Sequence, residues 1–131
     1  MSHIVEARTT IQHPDLALLR QAVEIVAGAH EGGRVKDHIL NEGRRRQSVS
    51  SGLAVFTERV IRGIGIEIDQ KGMLSFKGYP WGVQAQFNLL QQEIVQTYVS
   101  LATMQALQAM GYTAEASQEE QQVVIRGVAY A

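Results

Sequence analysis

Residues 65–82 read Gly65-Ile66-Glu67-Ile68-Asp69-Gln70-Lys71-Gly72-Met73-Leu74-Ser75-Phe76-Lys77-Gly78-Tyr79-Pro80-Trp81-Gly82, and this stretch decides the fold. Ile66 and Ile68 alternate with Glu67 and Asp69, Gln70-Lys71-Gly72 turns the chain, and Met73 to Tyr79 returns. Two period-two segments joined by a glycine turn predict an antiparallel hairpin. Pro80 ends it. Beyond it, Val83, Phe87, Leu90, Ile94, Tyr98, Leu101 and Gln105 recur at spacings of three and four. That spacing predicts a long helix over about residues 82–110, with Gly111 as its cap.

Upstream, residues 4–11 are rich in Val, Ile and Thr and predict a first strand. In His13-Pro14-Asp15, Pro14 suits the first helical position and Asp15 the positive end of the helix dipole. Leu16, Leu19, Val23 and Val26 then mark an amphipathic helix over about 14–29, stopped by Gly28 and Gly32-Gly33. Residues 34–62 carry no clear period: Arg44 to Gly52 reads as a polar loop or hairpin arm, and Leu53 to Ile61 as a strand. Downstream, 112–117 and 123–128 read as strands around a turn at 118–121. The order is strand, helix, several strands, long helix, hairpin. It predicts a single α+β domain over 1–131, an antiparallel sheet with two helices packed on one face.

Composition bounds the function. The chain has 131 residues, 12 Lys+Arg against 13 Asp+Glu, and no cysteine. This length can bury a core without metal or disulfide staples. The missing thiols exclude cysteine nucleophiles and thiolate metal sites. No apolar run reaches the ~18 residues of a membrane span, and Met1 to Glu6 carries no secretory pattern. A cytoplasmic protein is the expectation. A helix over 82–110 would be ~43 Å long, whereas a sphere of this chain is only about 36 Å across. The apolar stripe continues almost to the helix end, so a homodimer is expected.

Several constellations are candidates for chemistry. Residues 34–62 hold seven basic residues, including Arg44, Arg45 and Arg46, against three acidic ones. A phosphate or nucleic-acid contact is one reading. A solvated loop is the favoured one, because no aromatic residue lies among the arginines to stack a base. Trp81, the only tryptophan, sits beside Tyr79 at the strand-to-helix junction. An aromatic tip there suits a binding hot spot, and the alternative, Trp81 stapling the helix entry onto the core, weighs slightly more. Glu67 and Asp69 fall two apart on a strand and share a face, so they could work together on a cation or a proton. Such a pair with His3 would make a small-molecule or enzymatic site, although His3 more readily serves a structural hydrogen bond. The other histidines, His13, His30 and His38, have no metal-ligand spacing, and no cofactor motif is present. Gly63-Ile64-Gly65 enters a strand rather than opening a helix, which marks a bend and not a dinucleotide loop.

Three segments carry a family resemblance. They are Met1-Ser2-His3 with Thr9-Thr10-Ile11 and Leu18-Leu19; Gly63 to Ile68 with Lys71-Gly72 and Tyr79-Pro80-Trp81-Gly82; and the long helix closing on Gly111-Tyr112 with the Val123–Arg126 strand. In this order they span nearly the whole chain and resemble the hypothetical chloroplast reading frame 35 family, domain of unknown function 1257. Members occur in cyanobacteria, algal plastids and other bacteria, with no established activity. Their genes often lie near those of an AAA-type ATPase, a ferredoxin and a small companion protein. The resemblance therefore implies an accessory or adaptor protein that binds a protein partner, and it supplies no catalytic residues.

Overall fold

The computed structural model describes residues 4–41, 43, 45–119 and 122–129, with side chains through Tyr112. Its strands are β1 (Val5–Gln12), β2 (Arg34–Lys36), β3 (His38–Leu40), β4 (Arg46–Ser48), β5 (Leu53–Phe56), β6 (Ile64–Ile68), β7 (Met73–Gly78), β8 (Tyr112–Glu119) and β9 (Gln122–Ala129). Its helices are α1 (Leu16–Gly28) and α2 (Gln84–Ala109). Five strands form one antiparallel sheet in the order β1-β7-β6-β5-β2, and β3-β4 and β8-β9 are separate hairpins. The fold is α+β, as the order of elements in the sequence predicts.

The core lies between one face of the sheet and both helices. Leu19, Ala22, Val23 and Val26 of α1 meet Phe87, Leu90, Ile94 and Tyr98 of α2 over Leu53, Val55, Ile64, Ile66, Leu74 and Phe76. Alternation along each strand puts these side chains on a single face. Asp15 caps α1: its carboxylate accepts the N–H groups of Ala17 and Leu18 at 3.0 and 3.1 Å. Its own N–H donates to the Tyr98 hydroxyl at 2.8 Å, which ties the start of α1 to α2. The helix thus begins at Leu16, after the cap, rather than at Pro14.

Within residues 34–62, β2 and β5 join the main sheet and β3-β4 makes the opposite layer. The β3-β4 hairpin lies across the other face of the sheet, where Ile39 and Val49 pack with Ala54 and Phe56. The strand expected from Leu53 to Ile61 stops at Phe56. Thr57 ends it: its N–H donates to the Val60 carbonyl and its hydroxyl accepts the Val60 N–H, which turns the chain. Gly63 then takes a left-handed φ of 79°, the bend read from the sequence.

At its far end α2 packs against β8 and β9. At ~1.5 Å per residue its 26 residues reach about 39 Å, and the terminal hairpin meets the overhang within the chain. No helix among the described residues is long and apolar enough to cross a membrane.

Gly65 admits the β3-β4 layer. A Cβ there would stand 2.5 Å from Val49 Cγ1 and 3.2 Å from Ile39 Cγ2. Gly65→Ala is expected to lower stability by about 1–3 kcal/mol through overpacking, read as a fall in the urea midpoint. An unchanged midpoint would show that the hairpin does not bear on the sheet there.

Candidate functional site

The strand-to-helix junction is pinned on both sides of Trp81. Before it, Tyr79 is buried at 8% exposure, and the Arg62 guanidinium lies over its ring at 5.5 Å. After it, the Val83 N–H donates to the Pro80 carbonyl at 2.9 Å, and Gly82 supplies the left-handed φ of 77° that the turn needs. The Phe87 ring then seats α2 on the sheet at Gly78, where a Cβ would fall 2.6 Å from Phe87 Cε2. Trp81 itself is 73% exposed. This corrects the staple reading, because Phe87 does that work. It also removes Tyr79 from the aromatic tip, since burial under Arg62 takes its ring out of reach.

The Val60–Gly63 turn abuts the same junction, with Ile64 paired to Gly78. It exposes Ile61 at 59%, and the first turns of α2 expose Leu89 at 53%. Next to Leu89 a cleft of about 200 Å³ opens between α2, the 57–60 loop and the end of α1. Its walls include Val60, Leu89 and Leu90, and its polar groups are His30, Thr57, Arg59 and Gln86. His30 Nε2 lies 2.7 Å from Glu93 Oε2, a second bridge between α1 and α2. A smaller hollow of about 180 Å³ adjoins it, lined by His30, Glu31, Glu58 and Arg59 among others. Each falls below the ~300–1,000 Å³ of typical small-molecule sites. The larger has room for one large apolar side chain, with Arg59 at hand for a carboxylate. The sequence reading missed this cleft because its walls come from three distant segments, with His30 explained locally by the helix dipole.

The remaining candidates do not converge with Trp81. Arg45 and Arg46 are exposed at the start of β4, and the Arg45 carbonyl closes the hairpin by accepting the Asn41 N–H at 2.7 Å. Arg44 and His3 lie outside the described residues. Arg34 and Lys36 lie over the Phe56 ring at 5.6 and 5.4 Å, so three basic residues of this segment, with Arg62, pack on aromatic rings. The carboxylate pair separates into two structural roles. Glu67 pairs with Lys77 and accepts the Ser50 N–H at 2.8 Å, whereas Asp69 caps the β6-β7 turn by accepting the N–H groups of Lys71 and Met73, both at 2.9 Å. Among the described residues no three His, Asp or Glu side chains gather as a metal site.

Comparison with protein-family models, curated proteins and solved structures finds no match for this chain.

Burial pushes the Glu67 carboxyl up, but the Lys77 ammonium and the Ser50 donors outweigh it and hold the group below its ordinary value of 4.5. Folding therefore favours the ionised form. That stability is complete above about pH 4.5 and is lost as the pH falls toward the folded value. Glu67→Gln is expected to be less stable than the wild type near neutrality, with the gap closing in acid. Urea midpoints across that range check this, and a gap that ignores pH would contradict the assignment.

Proposed function

We propose that this chain is an accessory protein that acts by binding another protein, with Trp81 as the anchor of the contact. The observation that carries the reading is the exposure of Trp81 at a junction held from both sides. A large aromatic side chain left in water costs solvation, and a pinned backbone lowers the entropy lost when it docks. Ile61 and Leu89 add apolar surface at the same end, and the cleft beside Leu89 offers a socket for a partner side chain. Arg59 and Arg62 favour a partner segment that combines apolar anchors with carboxylates.

The resemblance to the chloroplast reading frame 35 family supports a cytoplasmic complex with an AAA-type ATPase as the partner. A homodimer within that complex leans not on the α2 overhang, which β8 and β9 meet, but on the edge strand β1 of the sheet. The paired and capping roles of Glu67 and Asp69 weigh against a carboxylate-based active site. The dispersal of Arg34, Lys36 and Arg62 onto aromatic rings weighs against a continuous nucleic-acid stripe with Arg45 and Arg46.

Co-purification of the tagged chain from its native host, with and without nuclease, tests the reading. A stoichiometric protein partner that survives nuclease is expected. Trp81→Ala should weaken its binding by roughly 30-fold or more, the size of a hot-spot loss, while the circular dichroism spectrum stays unchanged. Recovery of nucleic acid, with binding sensitive to Arg45→Ala and Arg46→Ala, would instead place the contact on β4.

A further inference from the structure

The sheet has one long free edge. Among the described residues β1 is bonded only to β7, so the outer N–H and C=O groups of this eight-residue strand have no ladder partner there. Such an edge templates another strand unless something blunts it. The opposite edge, β2, is only three residues long. Toward its end β1 bulges, with its register against β7 shifting between Arg8 and Gln12. The regular part is Val5 to Arg8, and it carries two charges, Glu6 and Arg8, on the face turned away from the helices.

We propose that the β1 edge binds a second copy of this chain, joining two sheets into one across a two-fold axis at Ala7. This rests on the homodimer reading above and names its surface. Antiparallel pairing about Ala7 sets Glu6 opposite Arg8 of the second copy, and Arg8 opposite its Glu6. Centring one residue earlier sets Glu6 against Glu6, and one residue later Arg8 against Arg8. Like charges directly opposite are destabilising, so the charges favour centring on Ala7 over either adjacent register.

The row continues into each sheet with alternating sign. Glu6 lies beside Lys77 of β7, and Arg8 lies beside Ser75, which pairs in turn with Glu67 of β6. On the helix face, an open groove of about 370 Å³ runs between β1 and α2, lined by Thr9, Phe76, Val95 and the amides of Asn88, Gln91, Gln92 and Gln96. The two-fold axis is perpendicular to the joined sheet, so both α2 helices stand on one side. Their neutral amide faces approach each other without stripping water from a charge.

Light scattering tests the proposal. The wild type should run at twice its 14.5 kDa. Glu6→Arg should raise the dimer dissociation constant at least ~10-fold by opposing like charges, and adding Arg8→Glu should restore the dimer. The chain has no cysteine, so Ala7→Cys gives a clean second readout. Residues opposite each other on antiparallel strands have Cα atoms ~4.5–5.5 Å apart, within disulfide range, and an oxidised covalent dimer is expected. A monomeric wild type, a dimer indifferent to Glu6→Arg, or no rescue by the double reversal would overturn the proposal. Trp81→Ala should remain dimeric, which separates failure of this surface from failure of the partner-binding reading.

Discussion

Close approach to the β6-β7 hairpin is the constraint on which the rest of the structure depends. Glycines stand where neighbouring layers must touch strand backbone. Gly65 receives Val49 and Ile39 from the β3-β4 layer and Gly78 receives Phe87 from α2, while Gly63, just before β6, leaves room for the Phe56 ring of the neighbouring strand β5. A methyl group at any of these positions would collide with a side chain that is itself held by the core. The hairpin is thus the floor for both layers, and its glycines set how near each can come.

That constraint leads to the functional reading. Phe87 can seat α2 only because Gly78 leaves room, and seating it fixes where the helix begins. The connecting turn is then determined by Tyr79 on one side and Val83 on the other, with Gly82 absorbing the left-handed conformation. Trp81 lies in a short connection closed by the Val83–Pro80 hydrogen bond and is exposed to water. Its exposure is a product of packing around it rather than of a loose loop. The same restraint holds the Val60–Gly63 turn against the junction, so Ile61 stands at the same end of the molecule.

Much of the fold was legible in the sequence where a single period ran long enough. The alternation around Gln70-Lys71-Gly72 and the spacing from Phe87 to Tyr98 located β6, β7 and α2 within two residues of their observed bounds. Residues 34–62 were harder, because β2, β3 and β4 are three residues each. A strand that short cannot display a period, and its stability comes from partners elsewhere in the chain. The site divided in the same way. Trp81 stood out by composition and position, but its direction depended on Phe87 filling the neighbouring place. The cleft at His30, Arg59 and Leu89 is assembled from three segments, and no local pattern marks it.

The single tryptophan makes the central claim directly measurable, since indole fluorescence reports on Trp81 alone. The account predicts that the free chain emits like a water-exposed indole and is readily quenched by iodide. Titration with the co-purified protein partner should shift the emission to the blue and remove the quenching at a stoichiometric ratio. Emission already blue and protected in the free chain, or unchanged when the partner binds, would contradict the claim that Trp81 is the anchor of the contact.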